Sequence, residues 1–467
     1  MKGLDSVPTL FYYYYITLNC QILMSQLYQA FSSVLEPYSP SINRIVIAFS
    51  GGVDSRVLLE LAARYGKARG IECIAVHVHH GLSTNADVWV EQCQQWCLES
   101  AVKLYIERVS LDTSSSESLE KLARDARYGA LKQHLSKGDI LLTGQHQDDQ
   151  LETFLLALKR GSGPKGLSSM AKVMSFGEAV LVRPLLGVSR QEIEAFADQS
   201  GLEWVEDESN QDQRFDRNFI RHEVTPKLVA RWPSFPDSVA RSAQLCAEQE
   251  LLLDELLVPK LNQALGLHQS LKIESLLDCS NVMRARLLRM WLAENGLVMP
   301  SQKQLELLWS EVACAQQDAN PVLVLGDTEV RRFDNKLFIV ESRPSLESWQ
   351  AELKVGQSLE LPDNLGSLSL NINGSAASQE AQSMVKFSLS NASDPITVMF
   401  NPEGLTAHPV GRGHSRKMKK LFQEYKVPSW LRRRTPILID GDHVVAVMGL
   451  FVDRRYQGQD CEAVWSK

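Results

Sequence analysis

Between residues 44 and 160, short apolar runs alternate with longer amphipathic ones, and this alternation does most to narrow what the chain can fold into. Residues 44–49 (RIVIAF) read as a buried strand and 55–65 as a helix. Further strands are expected at 72–78, 103–109 and 139–144, with helices at 86–100, 117–135 and 148–159. Strands that alternate with helices in this way predict an α/β architecture, a parallel sheet with helices on both faces. Sheets of that kind bind ligands beyond the carboxyl ends of their strands. The segments 50–54, 79–85 and 144–150 each follow a strand, so they are expected on one rim.

The rest of the chain is organised differently. From about residue 234 to 308 the pattern turns helical, with leucine-rich runs such as AQLCAEQELLLDELL. Residues 321–340 read as a hairpin between VLVLG and KLFIVE. The stretch 362–395 is rich in Ser, Asn, Gly and Ala, compatible with either a connection or β-structure. Strand signals return around ITVMF, PILID and VVAVMGLFV. The expected division is 24–233, 240–345 (mainly helical), a connecting region 346–395, and 396–467. Residues 1–23 carry one offset lysine and no small-residue cleavage site, so they read as an extension, with Met24 as the expected start. No apolar run approaches the length of a membrane span, and the expected location is the cytoplasm. Eight cysteines in 467 residues, none in a CxxC pair, argue against a disulfide scaffold, a zinc ribbon or a thioredoxin-like motif.

Ser50-Gly51-Gly52-Val53-Asp54-Ser55 lies where the first buried strand turns into a helix. Glycines let the backbone approach a ligand, and the first helical N–H groups favour an anion. The chain has no GxxxxGK[ST] motif, and this loop has no lysine. Asp54 would repel a polyphosphate unless a cation lay between them. The loop therefore predicts ATP with Mg2+, with Asp54 on the metal or phosphate side. This string resembles the loop of the N-type ATP pyrophosphatases, the PP-loop superfamily, which adenylate an oxygen of their substrate and release pyrophosphate.

After the fourth expected strand comes QHQDDQLET. Asp149 and Glu152 are three apart and Asp148 and Glu152 four apart, so on a helix they share a face that could hold a cationic substrate. Capping of the helix by Asp148 and Asp149 explains them equally well. GSGPKG at 161–166 matches GxGxxG but follows a helix, so the dinucleotide reading fails. Cys93 and Cys97 fall on one helical face and read as core. Arg214, Arg217 and Arg221 either touch RNA or tie the domain to its neighbour.

Five separated blocks resemble the tRNA(Ile)-lysidine synthetases: HVHHGLSTNADVWVEQC, EKLARDARYGAL, TGQHQDDQLETFLLALKRGSGPKGL, WVEDESNQDQRFDRNFIRHEVTPKL and GHSRKMKKLFQEYKVPSWLRRRTPILI. The resemblance runs from about Met24 to the end. It implies a PP-loop catalytic domain, then a mainly helical domain and a small α+β C-terminal domain. It further implies a ligase that uses ATP to adenylate C2 of the wobble cytidine in a tRNA(Ile) with anticodon CAU. Free L-lysine then displaces AMP to form lysidine, which changes codon recognition from AUG to AUA and identity from Met to Ile. On this reading Asp149 and Glu152 hold the lysine. By their own spacing Arg124 and Arg127 are neighbours on one helix face and are expected to hold the α-phosphate, the cytidine or its backbone, a solvated salt-bridged surface being the alternative. His77, His79 and His80 lie near the nucleotide and are not a metal site. The oligomeric state stays open, with a homodimer among the alternatives.

Between Arg412 and Arg434 there are nine Arg and Lys residues against Glu424 alone, in a chain whose net charge is -7. A local cationic patch in an acidic protein attracts RNA phosphates. Arg416, Lys417, Lys419, Lys420, Arg432, Arg433 and Arg434 are the expected tRNA contacts, with Phe422, Tyr425 and Trp430 among them.

Overall fold

The computed structural model describes residues 25–81, 83–111, 119–316, 319–372, 381–388, 390 and 395–466. The expectations for residues 1–23 and for a start at Met24 lie outside the described residues. The chain divides between Asp254 and Glu255 into two compact units.

The first unit is built on β1 (Arg44–Ala48), β2 (Glu72–His79), β3 (Lys103–Arg108), β4 (Asp139–Leu142), β5 (Val173–Phe176) and β6 (Ala179–Val182), in the order β3-β2-β1-β4-β6-β5. β1 runs parallel to both β2 and β4, with Ile45 opposite Cys73 on one side and Ile140 on the other. β5 returns antiparallel on β6. The helices are α1 (Val53–Arg69), α2 (Ala86–Glu99), α3 (Leu119–Gln133), α4 (Gln147–Lys159) and α5 (Arg190–Gln199). Alternation along β1 separates two cores. Ile45 and Ile47 pack with Val57, Leu58, Leu61 and Phe196, while Val46 packs with Leu131, Leu141 and Leu181. On α1, Val53, Val57, Leu61 and Tyr65 recur at helical spacing and are buried. The helix stops at Gly70, whose φ of 67° lets its N–H reach back to Gly66 O.

Strand order reverses between β1 and β4, so the loops after these two strands diverge and leave a crevice at their carboxyl ends. The backbones nearly touch there: a Cβ on Gly144 would lie 3.2 Å from the Asp54 carbonyl carbon. After α5 comes a helical run, Asp216–Phe219, Ile220–Val224 and Thr225–Arg231. It returns Arg217 and Arg221 to α4. The long helix α6 (Phe235–Ala264) follows.

In the second unit, α7 (Asn281–Glu294) buries Leu287, Leu288, Trp291 and Leu292. The expected hairpin at 321–340 is a three-stranded meander of β8 (Val322–Leu325), β9 (Thr328–Phe333) and β10 (Lys336–Glu341), joined by β7 (Leu271–Lys272). The segment expected as a turn is itself the central strand β9. Its Glu329 and Arg331 pair at 2.7 Å on either side of the buried Val330, which disguised a strand as a charged loop. A second correction concerns the connecting region. Residues 350–387 contribute β11 (Gln350–Leu353), β12 (Ser358–Glu360), β13 (Ser367–Ile372) and β14 (Ala381–Phe387). β13 and β14 flank the last strand of the chain, Cys461–Ser466, with Leu368 opposite Trp465. Leu368 and Leu370 are buried while Ser367 and Ser369 alternate with them on the other face, so a half-polar strand left the segment open between a connection and β-structure. The expected strands ITVMF, PILID and VVAVMGLFV correspond to Ile396–Met399, Ile437–Asp440, His443–Val447 and Phe451–Val452, which join β11 in one sheet.

Candidate active site

The loop from β1 into α1 is closed by one hydroxyl. Ser55 Oγ accepts the N–H groups of Ser50 (3.2 Å) and Gly51 (3.0 Å) and donates to Gly52 O (2.9 Å). Gly52 is the N-cap and Val53 the first helical residue, so the first N–H groups of α1 have no intrahelical acceptor. Gly51 has φ 91°, and a Cβ there would lie 2.9 Å from Cys93 Sγ and 3.0 Å from a Val205 methyl. Gly51→Ala combines that clash with an unfavourable φ, for a cost of about 1–3 kcal/mol. A lowered melting temperature with weakened ATP binding is the expected result, and an unchanged melt with unchanged ATP affinity would contradict this account of the loop.

Asp54 sits on the first turn of α1 at the crevice. Its Oδ2 accepts from Arg190 Nη1 at 2.7 Å, and its Oδ1 lies 3.6 Å from His146 Nε2. Burial pushes its carboxyl above the usual range, and the charges of His146 and Arg190 pull it only partly back. His146, at the N-cap of α4, is 3 % exposed and stands among three carboxylates, with Asp148 at 3.4 Å and Asp149 at 3.3 Å besides Asp54. Burial lowers its pKa, but the close Asp148 carboxylate and the charges of Asp149 and Asp54 together hold it above the ordinary value. Asp148 also accepts the Arg190 N–H at 2.7 Å.

Deeper on α4, Glu152 is 1 % exposed. Its carboxylate accepts from Arg221 Nε (2.6 Å) and Nη2 (2.9 Å) and lies 3.3 Å from Arg217 Nε. Burial raises the Glu152 carboxyl, with Arg221 opposing. Asp149 shares Arg221 at 3.3 Å. Of the two roles open to the arginines, Arg217 and Arg221 hold α4, whereas Arg214 pairs with Asp212 at the surface.

Arg124 and Arg127 are exposed on α3, and Arg124 lies over the Tyr128 ring at 5.4 Å. Arg127 acts on the end of β2. Burial first, then its charge and those of the neighbouring histidines, push His80 down to about 4, and neither ring nitrogen of His80 has a partner among the described residues. His77 is held by Phe49 O at 3.0 Å. Burial pushes the Cys93 and Cys97 thiols up to about 12, so both are core groups, as expected. His146 and Arg190 did not emerge from the sequence as site residues. His146 had a weak signal, standing between a strand and two aspartates. Arg190, 136 positions from Asp54, had none.

Among the described residues no three His, Cys, Asp or Glu side chains form a metal cage. Mg2+ needs none, being held by one or two carboxylates together with substrate phosphates. Asp54 fits that role, because its buried Oδ1 has no hydrogen-bond partner among the described residues.

In the second unit, Arg416, Lys417, Lys419 and Lys420 are exposed. The three arginines at 432–434 are instead engaged within the chain. Arg432 donates to Val427 O at 2.9 Å, Arg433 pairs with Glu347 and Glu403, and Arg434 pairs with Asp363. The aromatics are also occupied: Phe422 is buried, Tyr425 stacks on Phe451, and Trp430 packs on Phe333 and Phe338. A polar cleft of about 510 Å³ in this part of the chain is lined by His408, Ser415, His443, Arg454 and Arg455.

Family models match the chain in three places: a PP-loop domain at residues 22–228, a TilS substrate binding domain at 271–338 and a TilS substrate C-terminal domain at 396–466. The tRNA(Ile)-lysidine synthase of Vibrio atlanticus is 63% identical over 456 residues, covering 95% of this chain and 100% of that protein. The chain belongs to the tRNA(Ile)-lysidine synthase family. Its relative in Vibrio vulnificus is 56% identical over 444 residues, covering 95% of this chain and 100% of that protein. The family member of Photobacterium profundum is 48% identical over 440 residues, covering 94% of this chain and 99% of that protein. The family's PP-loop domain accounts for the sheet and the crevice, and the enzyme uses ATP. No described helix is long and apolar enough to cross a membrane.

Proposed function

We propose that the chain ligates free L-lysine to C2 of the wobble cytidine of a tRNA(Ile) with anticodon CAU, consuming ATP and forming lysidine. The observation that carries this reading is 63% identity to a synthase over 95% of the chain, with the Ser50–Ser55 loop intact at the crevice. The cytidine C2 oxygen attacks the α-phosphorus and pyrophosphate leaves. The lysine ε-nitrogen then attacks C2 and AMP departs with the oxygen. The product pairs with A, so decoding moves from AUG to AUA.

The free N–H groups at the start of α1 receive the departing phosphates. Mg2+, held by Asp54, supplies charge neutralisation on the phosphates when bound. Arg124 and Arg127 meet the α-phosphate or the nucleotide, beside a His80 ring that stays neutral. The lysine ε-amine has an ordinary pKa of about 10.4 and must lose a proton before it attacks. Asp149 is 15 % exposed on its side chain against 1 % for Glu152, so Asp149 meets the ammonium while Glu152 fixes the arginines around it. Incubating the protein with ATP, radiolabelled lysine and a CAU-anticodon tRNA tests the reading. Lysine-dependent label in the RNA supports it. AMP formation only with another nucleophile would assign a different reaction.

The tRNA backbone lies along Arg416–Lys420 and the cleft beside it. Changing Lys417, Lys419 and Lys420 together to alanine should weaken tRNA binding and flatten the slope of log Kd against log salt by roughly two to three. Adenylation of a minimal anticodon stem should barely change. A filter-binding titration with the parental slope would remove these lysines from the interface.

A further inference from the structure

A polyphosphate needs cationic donors, and the loop Ser50–Ser55 offers it an aspartate and no lysine or arginine. A guanidinium reaches the loop from elsewhere in the fold. Arg190 is the first residue of α5, whose N-terminus is fixed by the reciprocal Ser189–Glu192 capping box. Its backbone N–H is held by Asp148 at 2.7 Å, its Nε by Glu194 at 2.6 Å, and its Nη1 by Asp54 at 2.7 Å. The Arg190 side chain is 39 % exposed, so its guanidinium is not sealed off by Asp54 and Glu194. Asp54, its partner, belongs to the phosphate loop itself.

We propose that Arg190 is a catalytic residue that binds the β- and γ-phosphates of ATP, the part that leaves as pyrophosphate, and that these phosphates compete with Asp54 for its guanidinium. The proposal rests on the ATP-dependent reading above. A triphosphate carries more negative charge than a single carboxylate and accepts the planar pair of guanidinium N–H groups. The guanidinium therefore passes from Asp54 to the phosphates when the nucleotide enters. Nothing in the backbone needs to move, because the first turn of α5 is pinned to Asp148 and capped by Ser189.

The test is equilibrium binding of ATP and of AMP by calorimetry, in EDTA and without lysine or tRNA. The full chain is compared with Arg190→Gln, Arg190→Lys, Asp54→Asn and the Asp54→Asn/Arg190→Gln pair. Arg190→Gln should weaken ATP binding about 10- to 100-fold, the usual loss for a charge-assisted hydrogen bond, and leave AMP binding unchanged. Arg190→Lys should recover part of the loss. Asp54→Asn, which frees the guanidinium, should bind ATP more tightly than the parent, and adding Arg190→Gln should cancel that gain. If Arg190 serves only to neutralise Asp54, the double variant binds ATP as Asp54→Asn does, and the proposal is overturned even if Arg190→Gln alone fails to fold. Failure of the unaltered protein to bind ATP sinks the ATP-dependent reading and the proposal with it. ATP binding by the parent with an undiminished Arg190→Gln removes Arg190 alone.

Discussion

Asp54→Asn should reduce lysidine formation about 10²- to 10³-fold, the usual loss when a preorganised charge at a reacting phosphate is removed. The protein should nevertheless melt no lower than the parent. Burial holds the Asp54 carboxyl above its usual range despite His146 and Arg190, so folding favours its neutral form. A group whose folded pKa is raised weakens the fold once pH rises through that pKa, because the ionised form is then the penalised one. Asparagine removes the penalty and keeps the side chain's size. The combined signature, lost activity without lost stability, is what a carboxylate kept for function produces. Steady-state AMP release and a thermal melt measured on one preparation check both halves. A variant with parental turnover, or one that melts well below the parent, would falsify the assignment of Asp54 to the reacting phosphates.

Glu152→Gln should behave in the opposite way and cost mainly stability. Glu152 is almost wholly buried and carries the counter-charge for Arg221 and Arg217. Removing one partner of a buried ion pair leaves the other desolvated without compensation, typically about 3 kcal/mol. For a unit of roughly 200 residues that corresponds to a fall in Tm of about 6–12 °C. Because Arg221 also reaches Asp149, the KM for lysine should rise as well. Glu152→Gln/Arg221→Gln should recover part of the lost stability, since the Arg221 guanidinium no longer faces a lost counter-charge, although Arg217 still does. A double variant less stable than the sum of the two singles would mean that the pair is not the source of the effect.

These two carboxylates mark where reading the chain in one dimension succeeds and where it stops. β1, β2 and β4 were legible because buried parallel strands are nearly continuous apolar runs, and the edge strand β3 because its apolar LYI centre is bounded by charges; all four observed ends lie within two residues of the expected ones. α1 begins two residues earlier than expected, because Val53 and Asp54 serve as loop motif and helix start together. β9 was missed because Glu329, Arg331 and Arg332 surround its one buried residue and resemble a loop, and β13 stayed open between a connection and β-structure because serines alternate with its buried leucines. The loop Ser50–Ser55 was legible because its glycines, serines and helix start are consecutive. Arg190 was not, because its importance lies in a 2.7 Å contact with a residue on another helix. The basic patch shows the same limit, since its nine charges look alike in the sequence. The fold leaves Lys417, Lys419 and Lys420 in solvent, sets Arg416 3.5 Å from Glu424, and turns Arg433 and Arg434 onto Glu347, Glu403 and Asp363.

The sequence by itself determined the α/β order of the first unit, the phosphate loop and the family, because each is written in neighbouring residues whose spacing matches a strand, a helix or a turn. Only the tertiary structure decided which charges are free to act. Asp54, His146 and Arg190 become one cluster, and Glu152 becomes the anchor of two arginines, through crossovers that bring distant segments to a single crevice. A charge's partner, and hence its burial and its proton affinity, depends on distance in space, which residue order does not encode.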